Sequence, residues 1–200
     1  MTTLSIINPD IPAIRLEGVR MIRSGQLVLD DFNLDIPAGK VTAIMGPSGS
    51  GKTTVLKLIT GQLKPDSGRI FIGDIDVCEL DRSALNDVRR HIGVLLQNGA
   101  LLTDMTCFDN VALPLREHTE LPENLIEKLV LLKLQAVGLR GAARMYPQQL
   151  SGGMVRRVAT ARALALDPDL MLYDEPFAGL DPISLAATGR LIRQINHFVG

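Results

Sequence analysis

The chain contains no tryptophan, and aromatic residues make up only 4% of it. Proteins that bind single-stranded nucleic acid stack bases on aromatic side chains, so this scarcity argues against that class. A net charge of −1 also argues against a protein that binds by neutralising phosphates. No nucleic-acid partner is therefore expected, and the basic clusters Arg89-Arg90-His91 and Arg156-Arg157 are interpreted as solvated faces.

Cysteines and long hydrophobic runs are scarce as well. Cys78 and Cys107 lack the C-x-x-C spacing of a zinc site and are too few for a disulfide framework, so both are interpreted as core fillers. No window reaches about 18 consecutive apolar residues, so no direct membrane span is expected. The segment Met1–Ser5 has no basic region followed by an apolar core, which excludes a secretory signal and favours a cytoplasmic protein.

What remains is an ordinary globular composition, 46% hydrophobic and 22% charged, in 200 residues. This length suits one or two compact domains. Residues 1–13 are interpreted as a loose leader. A small antiparallel β region is expected next, with an edge strand at Ile14–Val19 and two short strands at Leu27–Leu29 and Phe32–Ile36, followed by a turn at Pro37–Lys40.

The next stretch has the pattern G-x-x-x-x-G-K-T. It follows Val41–Met45, which is predicted to be a buried central strand, and precedes Val55–Ile59, which is predicted to be a helix. Glycines permit a tight turn whose N–H groups point at phosphates, while Lys52 can reach the β- and γ-phosphates and Thr53 can ligate Mg²⁺. The predicted nucleotide-binding residues here are Gly46, Pro47, Ser48, Gly49, Ser50, Gly51, Lys52, Thr53 and Thr54.

Beyond this loop the pattern alternates between strands and helices. A strand at Arg69–Ile72, a helix at Ser83–Arg90 and a buried strand at Ile92–Leu96 that ends on Gln97 are predicted. From Asn98 to about Pro147 the chain becomes leucine-rich and helical, which indicates an inserted helical lobe that carries either partner contacts or packing decoration. One helix there is predicted to bury the stripe Leu125, Leu129, Leu132 and Ala136.

Two further segments carry polar chemistry. Ser151-Gly152-Gly153 opens a helix whose stripe Met154, Val158, Ala161 and Ala165 is expected to be buried. The apolar strand Leu170–Tyr173 delivers Asp174 and Glu175 at its C-terminal end, where parallel sheets bind ligands. Asp174 suits a Mg²⁺ partner, acting directly or through water, and Glu175 can act as a general base on the attacking water. A last helix is expected at Ile183–Phe198.

In this order and spacing, these motifs resemble those of the ABC ATPase family. The matching segments are Gly46–Thr53 (Walker A), Gln97 (Q-loop), Leu150–Met154 (signature), Leu170–Glu175 (Walker B) and Ala178–Asp181 (D-loop). The resemblance implies an α/β P-loop NTPase fold of ABC type, with a mostly parallel core sheet, an N-terminal antiparallel β region and an inserted helical subdomain. It also implies a RecA-like ATP-binding core over 14–97 and 155–200 and a helical signature subdomain over 98–154.

The resemblance further implies the cofactors ATP and Mg²⁺ and a head-to-tail dimer of two copies of the chain. Ser151, Gly152 and Gly153 would then contact the nucleotide of the partner, and Ser151 can cap its own helix as well. By the same resemblance Met21 would pack against adenine. The metal would be held by Thr53, Gln97 and Asp174, and catalysis would fall to Glu175, Lys52 and Gln97.

A closer resemblance connects the segment Gln97–Thr119, together with Met154 in the signature, to the ATPase subunits of Mla-type phospholipid transporters. It implies transmembrane permease partners and a peripheral place on the cytoplasmic face of the inner membrane of a bacterium. Two other functions stay open at this point. They are a soluble ABC ATPase of DNA repair or translation and a nucleotide-binding module that does not hydrolyse ATP.

One departure from the family pattern generates a prediction. The family has a switch histidine after a further strand, about thirty residues past the catalytic glutamate, and none of His91, His118 and His197 fits that place. The sequence is therefore expected to be part of a longer subunit and to hydrolyse ATP poorly as a 200-residue chain. Robust phosphate release by the purified chain, abolished by Glu175→Gln, would contradict this.

Overall fold

The computed structural model describes residues 5–199, with the backbone alone at positions 183, 198 and 199. The first four residues of the expected leader and Gly200 lie outside the described part. The chain divides into two compact units. The first contains the described residues up to Ile92 together with those from Ile195 on, and the second is Gly93–Gln194.

The first unit is built on a four-stranded antiparallel sheet of order β2-β1-β3-β4. Its strands are β1 (Pro12–Arg23), β2 (Gln26–Pro37), β3 (Ser67–Ile72) and β4 (Ile75–Asp76). The prediction that the first strand lies at a sheet edge is wrong, because β1 pairs on both sides. Alternating apolar side chains indicate which face of a strand is buried. They do not indicate whether the strand has one backbone-pairing neighbour or two.

The two short strands predicted after β1 form one continuous strand, β2. A two-residue turn with positive φ at Ser24 and Gly25 reverses the chain between β1 and β2. The expected break falls at Asp31, where φ is 45° and the register shifts, so β2 bulges there instead of ending. The hairpin buries Ile14, Leu16 and Val19 on one face.

The segment Val41–Met45 is the main disagreement with the predicted sheet. It forms no strand, and Val41 and Met45 are 57% and 89% exposed. β-branched residues favour extended backbone, but a strand also needs a neighbour that supplies hydrogen-bond partners. Within the described part of this unit the strands pair with one another and leave Val41–Met45 unpaired. The expected central strand is therefore a mostly exposed segment without strand pairing.

Two helices complete the first unit, α1 (Lys52–Ile59) and α2 (Arg82–Arg90), both close to their predicted positions. Asp81 caps α2 by accepting a hydrogen bond from the N–H of Ala84 at 2.8 Å. The Arg89 guanidinium donates to the carbonyl oxygens of Thr60 (2.9 Å) and Gly61 (3.1 Å). The end of α2 thus holds the C-terminal end of α1.

The second unit contains a two-stranded sheet and most of the helices. The strands are β5 (Ile92–Leu95) and β6 (Leu170–Tyr173), and the helices are α3 (Cys107–His118), α4 (Glu123–Ala136), α5 (Gly152–Ala163) and α6 (Pro182–Val199), with 3₁₀ turns at Arg140–Ala142 and Pro147–Gln149. The first residue of β5, Ile92, and the end of α6 from Ile195 on belong to the first unit. The N–H of Asp174 donates to the carbonyl of Leu95 at 2.9 Å. The C-terminal ends of β5 and β6 therefore lie side by side, as in a parallel pair. Among the described residues, no helix is both long and apolar enough to cross a membrane.

Helices α3, α4 and α5 share one apolar core. On α4 the buried residues are Ile126, Val130 and Leu134, whereas Leu125 and Leu132 are 39% and 62% exposed. The predicted stripe on this helix is therefore wrong. Because leucines lie on most faces of α4, the helical spacing of apolar residues is compatible with either the predicted face or the face that carries Ile126. Packing against α3 and α5 buries the face of Ile126. The stripe on α5 is confirmed.

Asn110 is the polar member of this core and is fully buried. Its side-chain oxygen accepts from the N–H of Leu102 at 2.8 Å. Its amide nitrogen donates to the carbonyls of Leu102 (2.9 Å), Met105 (3.3 Å) and Thr106 (3.0 Å). One side chain thus fixes the loop that leads into α3.

We expect Asn110→Ala to lower the free energy of unfolding by about 2 kcal/mol or more, because it leaves several buried backbone groups without partners. Urea denaturation followed by circular dichroism measures the change. The exposed Asn124 on α4 offers a matched control, and Asn124→Ala should change stability by less than about 0.5 kcal/mol. Equal effects of the two substitutions would refute the role of Asn110.

Candidate active site

The phosphate loop, Gly46–Thr54, has a backbone that only glycine adopts without strain. Gly49 and Gly51 have φ values of 81° and 92°. At Gly46 a Cβ atom would lie 2.7 Å from the hydroxyl oxygen of Ser50. The shape of the loop therefore requires glycine at Gly49 and Gly51, whereas at Gly46 the hydroxyl group of Ser50 would have to rotate away.

Helix α1 begins within this segment, at Lys52, and has no side-chain cap at its N-terminus. Its N-cap residue, Gly51, offers no side chain to bond the first-turn N–H groups, and the first turn carries no acidic residue. The positive end of the helix dipole therefore faces the loop. Thr53 is exposed in this first turn, while Thr54 is buried. This is the local arrangement that binds an anion such as phosphate.

Lys52 folds back over the loop that precedes it. Its Nζ donates to the carbonyl oxygens of Gly46 at 2.9 Å and Pro47 at 2.8 Å. The ammonium group therefore lies at the mouth of the loop and adds a positive charge to the helix dipole. An incoming phosphate would compete with these two carbonyls for the same ammonium group.

Met21 lies near the loop but is covered. It pairs with Leu29 across the hairpin, and the Cβ position of Gly51 lies 3.5 Å from a methyl carbon of Leu29 and 3.2 Å from one of Val28. The hairpin therefore packs against the start of α1. Met21 itself is only 7% exposed, so in this conformation it presents little surface to a base, and its contact with adenine stays a prediction.

In the second unit, Asp174 and Glu175 leave the end of β6 at a boundary between the interior and solvent. Burial raises the pKa of Tyr173 to about 12, which marks the end of β6 as part of the interior. Asp174 is half-buried beside the end of β5, and Glu175 is exposed. Two adjacent carboxylates thus have different surroundings, which suits the different roles predicted for them.

Glu175 has an unusual backbone conformation for a residue other than glycine. Its φ is 48°, and its carbonyl accepts from the N–H of Ala178 at 3.1 Å. A following proline pushes the residue before it towards extended backbone, so Pro176 alone does not account for the left-handed conformation. Non-glycine residues in the left-handed region cluster at functional sites, so the observation supports a functional role for Glu175.

Gln97 is exposed in the turn that follows β5, where the N–H of Gly99 donates to the carbonyl oxygen of Leu96 at 2.8 Å. Arg162 on α5 holds this turn by donating to the carbonyls of Gly99 and Ala100, both at 2.8 Å. Burial lowers the pKa of Arg162. Nothing in the residue pattern pointed to Arg162, because it acts on backbone carbonyls more than sixty positions away.

The signature segment is open at its tip and anchored behind it. Ser151 caps α5 by accepting from the N–H of Met154 at 3.3 Å, as predicted. Gly152 and Gly153 are exposed, and a Cβ at either would meet nothing within 4 Å. Met154 packs against the core shared by α3, α4 and α5. The tip therefore offers free space to a ligand.

Arg156 corrects an expectation, because it does not lie on a solvated face. It is half-buried, and its guanidinium donates to the carbonyls of Ala178 at 2.7 Å and Pro176 at 3.4 Å. These carbonyls belong to the loop that begins at Glu175. Sequence reasoning missed this residue because an arginine pair on a helix carries no signal of a backbone contact twenty positions away.

Each unit thus gathers part of the predicted residues. The first unit holds the phosphate loop together with the strand that carries Met21. In the second unit Asp174 lies beside Leu95, the last residue of β5, and Gln97 follows Leu95 by two positions. In the same unit, α5, which begins after Ser151, contacts the loop after Glu175 through Arg156.

Comparison with known proteins agrees with these motifs. A family model described as ABC transporter matches residues 29–178. The intermembrane phospholipid transport system ATP-binding protein MlaF of Haemophilus influenzae is 55% identical over 183 residues, which cover 92% of this chain and 69% of that protein. MlaF of Escherichia coli K12 is 51% identical over 187 residues, which cover 94% of this chain and 70% of that protein.

Two solved structures have the same fold. One is a dimeric ATP-binding cassette in a post-hydrolysis state bound to ADP and Pi, with a TM-score of 0.84 and 35% identity over 94% of this chain and 84% of that chain. The other is CbiO1 of Clostridium perfringens, part of the transporter complex CbiONQ, with a TM-score of 0.86 and 30% identity over 94% and 75% of the two chains. The predicted α/β P-loop NTPase fold of ABC type is confirmed.

The phosphate loop gives a direct test. Gly51→Ala should weaken the binding of a fluorescent ATP analogue at least about tenfold, because a left-handed alanine costs about 1–2 kcal/mol and its Cβ would lie 3.2 Å from Val28. Gly141→Ala is the control, since a Cβ there meets nothing within 4 Å. If Gly51→Ala bound the analogue as tightly as Gly141→Ala does, the anion site assigned to this loop would be wrong.

Proposed function

The chain belongs to the ABC transporter family of ATPases, and from this premise we propose that it powers the movement of phospholipids between bacterial membranes. The observation that carries the proposal is its identity of 55% and 51% to two MlaF proteins over more than nine tenths of its length. Both proteins are named as ATP-binding proteins of an intermembrane phospholipid transport system. The proposal gives this chain the same task.

In this proposal the first unit binds the triphosphate of ATP. The N–H groups of Gly46–Thr54 and the open end of α1 surround the phosphate oxygens, and Lys52 leaves its two carbonyls to pair with the β- and γ-phosphates. Met21 would lie near the base. The positive φ values of Gly49 and Gly51 support this assignment, because they turn the loop backbone sharply where the phosphates would lie.

We propose that Thr53, Gln97 and Asp174 hold Mg²⁺. A hydroxyl, an amide oxygen and a carboxylate are the hard oxygen ligands that this ion takes, so the residues present fit it. Mg²⁺, when bound, would neutralise charge on the phosphate oxygens. Thr53 and Gln97 are exposed and Asp174 is half-buried, so none of the three residues is enclosed in the core.

Hydrolysis in this proposal depends on Glu175. Its carboxylate accepts a proton from a water molecule as the water oxygen attacks the γ-phosphorus, and the bond between that phosphorus and the bridging oxygen of ADP breaks. Lys52 stabilises the charge on the transferred group, and Gln97 helps to orient the water. The exposure of Glu175 supports the role, because a general base must reach water.

The proposed partners are a second copy of the chain and a transmembrane permease. The exposed tip Ser151–Gly153 would contact the nucleotide bound to the other copy, and the dimeric relative supports such pairing. The chain would then lie on the cytoplasmic face of the inner membrane. We also propose that residues 14–97 and 155–200 form the ATP-binding core and that 98–154 form the subdomain that meets the permease.

The proposal predicts ATP-dependent transfer of a fluorescent phospholipid between two vesicle populations when the subunit is reconstituted with its co-purified membrane partners. Glu175→Gln should abolish transfer while leaving the complex assembled, because it removes the proton acceptor but not the surfaces of assembly. Transfer that continued without ATP, or a tagged subunit that captured no integral-membrane partner, would count against it.

A further inference from the structure

The loop that follows β6, residues 175–181, is held at three places. Its first residue, Glu175, starts a turn closed by the bond from the N–H of Ala178 at 3.1 Å. At its far end Asp181 caps α6 by accepting from the N–H of Ser184 at 3.0 Å. Between these ends the Arg156 guanidinium donates to the carbonyls of Ala178 and Pro176.

This middle contact matters because much of the loop is exposed to solvent. Phe177 is 43% exposed, and Glu175 and Gly179 are exposed as well. A loop that buries so little apolar surface is easily displaced. The planar fork of arginine has parallel donors, so it can bond two carbonyls at once and fix the segment between them. Arg156 therefore restrains the loop whose first residue is Glu175.

Arg156 also lies on α5, five positions after Ser151. The same short piece of helix thus carries the exposed tip Ser151–Gly153 at its start and the guanidinium that holds the loop after Glu175. A shift of the tip would move Arg156 with it, because an α-helix moves as a rigid element over one or two turns. This arrangement mechanically connects the two segments.

We propose that Arg156 is a positioning residue for ATP hydrolysis, which holds Glu175 in its left-handed conformation and links it to the signature helix. This inference rests on the proposed function, in which Glu175 accepts the proton from water. In this role Arg156 would not act on the nucleotide or the reacting water directly. It acts through the carbonyls of Pro176 and Ala178.

The test uses the full chain and a single-turnover assay with radiolabelled ATP, which resolves slow hydrolysis. Arg156→Met should lower the rate of the chemical step at least about tenfold, because small misplacements of a catalytic group cost that much or more. The affinity for ATP should change less than twofold. Arg156→Lys should recover part of the rate, since an ammonium can bond one carbonyl but does not reproduce the fork.

Arg144→Met is the matched control, because Arg144 is an exposed arginine of the same unit. It should hydrolyse ATP as the unsubstituted chain does. Thermal unfolding of all variants, followed by circular dichroism, checks that they are folded. A folded Arg156→Met variant with unchanged rate, or one whose loss is matched by Arg144→Met, would overturn the inference.

A double-substitution cycle separates positioning from a general structural role. If Arg156 acts through Glu175, then adding Arg156→Met to Glu175→Gln should lower the residual rate no further. A loss of the same factor in both backgrounds would overturn the inference. If Glu175→Gln alone left the rate unchanged, the proposed role of Glu175 would be wrong and the inference would fall with it. A slow Glu175→Gln chain beside a fully active Arg156→Met chain would overturn the inference alone.

Discussion

A helix that begins at a left-handed glycine leaves its first-turn N–H groups without a side-chain cap, and the first unit is arranged around this constraint. Gly51 starts α1 with φ at 92°, and the β1–β2 hairpin packs beside it at Val28 and Leu29. The other end of α1 is closed, because Arg89 bonds the carbonyls that follow it. One end is thus satisfied within the fold, and the other keeps donors that an anion can use.

In the second unit, polar side chains at the ends of two strands remain exposed although the loops that carry them are restrained. Neighbouring helix arginines hold the loops through backbone carbonyls, Arg162 after Gln97 and Arg156 after Glu175. Because the main chain carries the restraint, both functional side chains stay exposed. Burial beside this loop lowers the pKa of Arg162, because desolvation disfavours the charged guanidinium.

Sequence patterns predicted the features that depend on a few adjacent residues. They failed for features that depend on contacts with residues far away in the chain. The cap at Ser151, the strand β6 and the helix after the phosphate loop depend on a few adjacent residues, and the structure has all three. The pairing of Val41–Met45 and the buried face of α4 depend on distant elements, and both predictions were wrong. Motif spacing identified the candidate site residues, whereas the two arginine contacts left no pattern to read.

The backbone conformation of Glu175 depends both on its neighbours in the sequence and on a distant side chain. Pro176 disfavours the right-handed region for the residue before it, which leaves extended and left-handed backbone as the alternatives. An extended Glu175 would continue the direction of β6 and break the turn closed by Ala178. That turn and the guanidinium of Arg156 therefore stabilise the less common left-handed form, which is about 1–2 kcal/mol costly for a residue with a Cβ. Glycine would adopt it freely but has no carboxylate, so a glutamate here depends on the contacts around it to hold this backbone.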